Sequence, residues 1–166
     1  MAKIATIDGA EKINVSGSVG KNGVNFKDDV MVVQALLKYG LPERRVFRNV
    51  SFPQPTGTID RDTIRLIRQF QEHWNRTNKF VKLPIDARVD PAQEEGRQGN
   101  GKTILKLNDN AFEYWLLKGA PNGNYINDLL KRFPQLNSVF SEGVGSLGFP
   151  LEPSAPRVGT LNLSLA

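Results

Sequence analysis

The chain has 166 residues and a formal net charge of +5, with 39% hydrophobic residues, 23% charged residues and no cysteine. This composition is typical of one main globular domain, and the missing cysteines exclude disulfide scaffolds, thiolate zinc sites and cysteine nucleophiles. The single histidine, His73, argues against multi-histidine metal sites and a Ser-His-Asp triad. We therefore expect no metal, no cofactor and no enzymatic activity, and the basic charge favours an anionic partner.

The N-terminal region lacks the apolar run of a Sec signal, since Lys3, Asp8, Glu11 and Lys12 lie within its first fifteen residues. No stretch of the sequence approaches the roughly 18 apolar residues of a membrane span. We expect synthesis in the cytoplasm without a Sec signal and no membrane span. Access to a periplasm or cell wall would then need a specialised secretion route or a phage route.

In chain order, residues 1–25 predict a Gly-, Ser- and Asn-rich extension with short strands at 4–7 and 13–15 and a loop at 17–23. A first helix is predicted from Asn25 to Gly40, before Pro42. Its apolar residues recur on one face: Phe26, Val30, Val33, Leu36 and Leu37. The prolines of 41–58 predict a long irregular connection that carries an exposed basic loop with Arg44, Arg45 and Arg48.

A second helix is predicted over 60–76, capped by Asp60 or Asp62, with Ile64, Ile67, Phe70 and Trp74 at helical spacing. Arg61, Arg65 and Arg68 lie on its other face. A third helix should start near Thr103, be interrupted at 108–110 and resume over 111–118, after a polar inserted loop at 86–102. A further helix is predicted from Asn124 to Pro134.

The alternating residues 160–165 predict a terminal strand that pairs with an N-terminal segment or offers an edge to another chain.

Three groups of residues follow the motifs of one family. The first group is Val30, Val33, Gln34, Leu37 and Gly40; the second is Gly57, Ile59, Thr63, Ile67, Phe70 and Gln71; the third is Asp86, Val89 and a displaced Thr103. With these motifs, residues 26–109 resemble the peptidoglycan-binding-like domain, a small three-helix module of bacterial and phage wall-associated proteins. The sequence departs from the family at Asp60, Ala87 and Asp90, where glycines usually stand, at Leu66, and in an insertion over 92–102.

The resemblance implies a mainly α fold, with a three-helix peptidoglycan-binding-like core at 26–110. An N-terminal extension at 1–25 precedes this core, and a helical C-terminal extension with a terminal strand at 111–166 packs on the same domain. The motif residues are predicted to specify the fold: the apolar ones face a shared core, and Gln34 and Gln71 bond to loop backbone. We expect the hydroxyls of Thr63 and Thr103 to satisfy helix starts.

The resemblance also implies a wall-peptide or glycan ligand at the loops before the second and third helices, where Asp60, Arg61, Arg88 and Asp90 are the candidate contacts. Trp74 and Trp115 are candidates for stacking on sugar rings, although both also fit core positions. The partner would be peptidoglycan or another anionic wall polymer.

For the weaker signals, a structural or solvent-exposed role is preferred over a functional one. Residues 96–103 satisfy G-x-x-x-x-G-K-[ST] but lack the preceding apolar strand of a P-loop, so a mobile inserted loop is favoured. A solvated or packing role is preferred for His73, and the basic side chains form solvated surface more often than phosphate sites. Wall hydrolysis would need two facing carboxylates, and nothing pairs the candidate acids Glu72, Glu113 and Glu142. Nucleic-acid binding ranks below wall binding, because no interleaved exposed aromatics or familiar motif is present.

The leading hypothesis is a non-catalytic bacterial or phage cell-wall binding protein. The alternative is a structural or adaptor protein of a specialised secretion system or phage particle, which would bind a protein through the C-terminal strand or the helices of 111–140.

Overall fold

A computed structural model describes residues 1–94 and 101–144, with side chains up to residue 141. The described chain is mainly helical and holds two small antiparallel sheets. The helices are α1 (Lys27–Gly40), α2 (Arg61–Thr77), α3 (Thr103–Leu117), α4 (Tyr125–Arg132) and α5 (Asn137–Val144), and the strands are β1 (Lys3–Ile7), β2 (Ala10–Asn14), β3 (Val19–Gly20) and β4 (Arg88–Val89). Short 3-10 helices lie at Leu41–Glu43, Arg45–Phe47 and Pro134–Leu136. The predicted strand at 160–165 and most of the P-loop-like segment at 96–103 lie outside the described residues.

The N-terminal extension forms a hairpin. β1 and β2 pair antiparallel around Asp8 and Gly9, whose positive φ angles of 52° and 78° suit a tight two-residue turn. Both predicted strands are confirmed: β1 starts one residue earlier than predicted, and β2 starts three residues earlier and ends one residue earlier. The prediction of a loop throughout 17–23 is wrong, because β3 lies there and pairs with β4, which precedes α3.

α1 is the central helix, and nearly all of it is buried. Its most extensive packing is against α3. At their crossing, a Cβ on Gly40 would lie 2.9 Å from Asn110 Nδ2 and 3.1 Å from Tyr114 Cβ, so a side chain there would require these neighbours on α3 to shift. The predicted helix is confirmed, whereas Phe26 precedes it and is 52% exposed instead of facing the core.

α3 is one continuous helix, so the predicted interruption at 108–110 is wrong. The asparagines expected to break it make contacts with other elements instead. Asn108 Oδ1 accepts from Ile13 N at 2.8 Å, and its Nδ2 donates to Ile13 O at 2.9 Å and Ile104 O at 2.8 Å. Asn110 Oδ1 accepts from Arg44 Nε at 2.6 Å. Asn108 bonds to Ile104 O four residues back without interrupting α3, and the remaining bonds of both side chains go to other elements, so the helix continues through them.

Side-chain amides replace strand pairing at several places in the fold. Each of four asparagines bonds to both the N–H and the C=O of a single residue: Asn14 to Ala92, Asn25 to Gly20, Asn75 to Leu83 and Asn108 to Ile13. Ala92 and Leu83 lie in irregular segments, whereas Ile13 and Gly20 lie in the short strands β2 and β3, so these amides satisfy backbone groups that strand pairing leaves open.

The C-terminal helices are joined to the core by a buried carboxylate. Asp128 on α4 accepts hydrogen bonds from Tyr39 Oη, Lys118 Nζ (3.0 Å) and Asn122 Nδ2 (2.8 Å). Burial alone would raise the pKa of Asp128, but these hydrogen bonds outweigh it and hold the pKa below its usual range. α4 begins after its N-cap Asn124 and ends before Pro134, as predicted. α5 was not predicted and packs against β1.

Candidate functional site

The two motif glutamines hold the turns that precede α2 and α3. Gln34 Oε1 accepts from the N–H groups of Thr56 (3.0 Å) and Gly57 (3.1 Å), and its Nε2 donates to Thr58 O (2.9 Å) and Thr63 Oγ1 (3.1 Å). Gly57 has a φ of 79°, a conformation that glycine adopts without strain. The side chain of Gln34 therefore fixes the first turn and the start of α2 together.

Gln71 on α2 repeats this arrangement. Its Oε1 accepts from Ala87 N at 2.9 Å, and its Nε2 lies 2.9 Å from Arg88 O and 3.1 Å from Thr103 Oγ1. Ala87, where the resembled family has glycine, takes a φ of 58°. We refer to the two units, Gln34 with 56–58 and Gln71 with 86–88, as the anchored turns. Their predicted bonding to loop backbone is confirmed.

The two threonines do not cap their helices as expected. Their hydroxyls accept from the glutamine amides, and α2 is capped instead by Asp60, whose Oδ1 accepts from Thr63 N at 2.6 Å. The alternative that Asp60 caps this helix is thereby confirmed. The side chain of Lys102, the N-cap residue of α3, makes no capping hydrogen bond.

All motif residues named as structural are buried: Val30, Val33, Gln34, Leu37, Gly40, Gly57, Thr63, Ile67, Phe70, Gln71 and Thr103. Their side chains form part of the interior, which leaves the neighbouring turn residues as the surface of this region.

The four candidate ligand contacts lie beside the anchored turns. Asp60 and Arg61 follow the first turn and are exposed; Arg88 and Asp90 belong to the second and are half-buried. Arg88 Nη2 donates to Asp90 Oδ2 at 3.2 Å, and this hydrogen bond raises the pKa of Arg88. With Asp60 engaged as a cap, Arg61 alone of the four has no polar side-chain partner within the described chain.

The loop at 21–27 contacts both anchored turns. A Cβ on Gly57 would lie 2.6 Å from Lys27 O, and Lys21 N donates to Ala87 O at 3.0 Å. Residues 21–27 therefore border both anchored turns. We call this loop and the residues of the two turns, including the four candidate contacts, the turn surface.

A cleft of about 270 Å³ lies between the C-terminal half of α2 and the middle of α3. It is lined by Arg44, Phe70, His73, Trp74, Thr77, Asn78, Asn110 and Glu113. The lining combines aromatic rings, amides and a pair of opposite charges, which is a combination suited to binding a small polar ligand with an apolar face.

Arg44 is held firmly at the cleft. Its Nε donates to Asn110 Oδ1 at 2.6 Å, and its Nη2 donates to Glu113 Oε2 at 2.6 Å. Asn110 is only 2% exposed, whereas the Glu113 side chain is 59% exposed. Arg44 was expected in an exposed loop, but its side chain is 67% buried because it reaches back to α3.

His73 is half-buried at the cleft, and the centroid of its ring lies 5.5 Å from that of Phe47 in an edge-on arrangement. Burial lowers the pKa of His73, and the positive charges of Arg44 and Arg76 lower it further. The side chain is therefore neutral at pH 7. Its Nδ1 is buried and has no hydrogen-bond partner among the described residues.

The two tryptophans lie in different environments. Trp74 lines the cleft, its Nε1 donates to Val81 O at 3.1 Å, and Lys106 Nζ lies 5.2 Å from the ring centroid. Trp115 is half-buried away from the cleft, where its Nε1 donates to Pro121 O at 2.6 Å and its ring lies 5.6 Å from Phe112. The cleft therefore contains one of the two candidate stacking residues.

No family model, curated protein or solved structure matches the chain. The inference of function therefore rests on the turn surface and the cleft. Over residues 1–94 and 101–144, no group of acidic residues and histidine is placed to hold a metal ion, and no helix is long and apolar enough to cross a membrane.

The candidate acids do not come together in the described chain. Glu72 bonds to Arg68 at 3.0 Å on the exposed face of α2, while Glu113 lines the cleft. The side chain of Glu142 lies outside the described residues.

Sequence reasoning missed Asn110 as a cleft residue. A signal was present, since Lys106, Asn110 and Glu113 recur at spacings of four and three, which places polar side chains on one face of α3. The role of Arg44 had no local signal, because its partners lie 66 and 69 residues away.

Proposed function

We propose that this chain is a non-catalytic bacterial or phage cell-wall binding protein that binds peptidoglycan or another anionic wall polymer. The binding unit would be a three-helix core at 26–110 like that of the peptidoglycan-binding-like family. The observation that supports this proposal is the pair of anchored turns, because the glutamines and threonines that carry the resemblance build two equivalent units in this fold.

The turn surface and the cleft would bind different parts of the ligand. The turn surface offers the exposed Arg61, whose charge attracts an anionic polymer. The cleft offers Phe70 and Trp74 beside Arg44, which suits a ring or aliphatic group that carries a polar substituent.

The carboxylate side chains of the cleft favour ligand binding over catalysis. Among the described lining residues, Glu113 is the one carboxylate, and it is paired with Arg44. Glycoside hydrolysis ordinarily uses two carboxyl groups across the scissile bond.

Co-sedimentation with intact peptidoglycan sacculi tests the proposal, measured at low salt and at roughly 0.15 M salt against an unrelated protein of similar charge. We expect retention above that control at the higher salt. Arg61→Ala should reduce retention several-fold, whereas Arg65→Ala, which removes an equal charge from a residue paired with Asp62, should not. Loss of all retention at the higher salt would contradict wall binding.

The alternative adaptor function has one specific observation in its favour. α3 exposes three large apolar side chains on its C-terminal part: Phe112 (47%), Leu116 (51%) and Leu117 (81%). Such a group of residues is typical of a protein-binding surface, which here would belong to the helices of 111–140. A Leu116→Ser/Leu117→Ser variant that loses assembly with a protein partner but keeps its retention on sacculi would favour this function. Deletion of 159–166 would test the C-terminal strand in the same way.

A further inference from the structure

We propose that the cleft between α2 and α3 binds a carboxylate group of the wall ligand at Arg44, and that Glu113 occupies this position in the free protein. The inference rests on the proposed function, since it names the part of the wall polymer that the cleft would take. It differs from the expected contacts Asp60, Arg61, Arg88 and Asp90, which belong to the turn surface.

Arg44 is positioned for such a ligand before the ligand arrives. The hydrogen bond from its Nε to the buried Asn110 fixes the plane of the guanidinium group. Its Nη1 has no hydrogen bond or ion pair in the described part of the chain. A fixed guanidinium with donors to spare favours carboxylate recognition, because two parallel N–H groups match the two carboxylate oxygens.

Glu113 is bound loosely enough to be displaced. Its only polar side-chain contact in the described chain is with Arg44, and its side chain is 59% exposed. The Glu113 end of this ion pair is exposed, so water screens its charge and can solvate the carboxylate once it leaves Arg44. A ligand carboxylate would therefore exchange for Glu113 at small cost, and Glu113 would turn toward solvent.

The remaining lining limits the size and kind of the ligand. Phe70 and Trp74 supply an apolar side, and Thr77 and Asn78 supply polar groups. A volume of about 270 Å³ lies just below the range of roughly 300 to 1,000 Å³ for pockets that hold drug-sized ligands, so it suits one sugar ring or a short peptide end. The ligand chemistry is a carboxylate next to an apolar group, which a bacterial wall supplies as a peptide C-terminus or as the lactyl acid of an N-acetylmuramic acid that carries no peptide.

The test is a titration of the full chain with small carboxylic acids, monitored through the NMR signals of its two tryptophan indole N–H groups. The probes are N-acetyl-D-alanyl-D-alanine and N-acetylmuramic acid, each paired with the same molecule carrying an amide in place of the acid. We expect one free acid to shift the Trp74 signal and leave that of Trp115, which lies outside the cleft, unchanged. The acid that binds identifies the source of the carboxylate, and its amide should bind at least tenfold more weakly.

Two variants distinguish a carboxylate site from unspecific binding. Arg44→Gln should weaken binding of the acid about tenfold or more, and Glu113→Gln should strengthen it roughly threefold to tenfold by freeing Arg44. A gain in affinity cannot arise from misfolding, so Glu113→Gln keeps the test valid if Arg44→Gln is poorly folded. Glu43→Gln, an exposed acid outside the cleft lining, is the matched control and should change nothing.

The outcomes separate this inference from the proposed function. If neither acid shifts Trp74, or if Glu113→Gln weakens binding, the inference is overturned, while retention of the wild type on sacculi would still support wall binding. If retention on sacculi is lost as well, both proposals fail.

Discussion

Replacement of Gln34 by alanine tests whether the anchored turns stabilise the fold. Gln34 is 1% exposed, and its amide group bonds to two N–H groups and to two oxygen atoms. Thr56 and Thr58 are exposed, so their backbone groups can bond to water after the substitution. The N–H of Gly57 and the hydroxyl of Thr63 belong to buried residues and would lose a partner, at about 1 to 3 kcal/mol each. Loss of the buried methylene contacts adds about 1 kcal/mol, so we expect a destabilisation of roughly 3 to 7 kcal/mol.

Urea unfolding followed by circular dichroism measures this effect. With a slope of about 2 kcal/mol per molar urea, the midpoint should fall by about 1.5 to 3.5 M. Gln135→Ala is the matched control, because Gln135 is exposed and its side chain makes no hydrogen bond in the described chain, so it should change the free energy by less than about 0.5 kcal/mol. A loss below about 1 kcal/mol for Gln34→Ala would refute the reasoning and mean that other contacts hold the first turn.

Further predictions concern a glycine and the single histidine. Gly57→Ala should destabilise the protein by about 3 kcal/mol, and Gly9→Ala by about 1 kcal/mol. Both glycines have a φ near 78°, which strains an alanine. Only at Gly57 would the added Cβ also clash with backbone, at 2.6 Å from Lys27 O. Equal losses in urea unfolding would contradict this. NMR titration should place the pKa of His73 below 6.5, and Arg44→Gln should raise it, because a nearby positive charge is removed; an unchanged pKa would exclude that influence. Since the folded state binds this proton more weakly than the unfolded chain, the free energy of unfolding should fall as the pH drops through about 6.5, a slope that His73→Asn should reduce.

The helices with local signals were predictable. α1, α2 and α4 show apolar residues at helical spacing, and their ends are marked by Asp60, Asn124, Pro42 and Pro134. Such signals act between residues a few positions apart, so the sequence reveals them directly. The two N-terminal strands were predicted too, but their pairing as a hairpin was not, although Asp8-Gly9 between two short apolar segments is a local signal for such a turn.

Features that depend on distant partners were not predictable from single segments. Asn108 reads locally as a helix breaker, but its amide bonds to Ile13, 95 residues away, and the helix continues. The glycine-rich sequence around β3 predicts a loop, because the strand forms only by pairing with the distant Val89. Arg44 reads as one basic loop residue among several, and only its contact with α3 distinguishes it from Arg45 and Arg48, which are exposed.

The anchored turns and the cleft are linked through Gln71. Its amide meets Thr103 at the start of α3, and three residues further along each helix Lys106 lies over Trp74. Successive contacts between α2 and α3 therefore run toward the C-terminal ends of both helices, the direction in which the cleft lies. At a rise of 1.5 Å per residue, Asn110 lies about 10 Å along α3 from Thr103.

This geometry divides the residues into two sets. Those that carry the family resemblance, such as Gln71 and Thr103, fix how α2 and α3 are placed. Arg44, Asn110 and Glu113 fall outside every motif of that resemblance, yet they form a hydrogen-bonded polar side of the cleft. A motif-based interpretation therefore finds the framework and misses the side chains that would select a ligand, because a common framework can carry different sites.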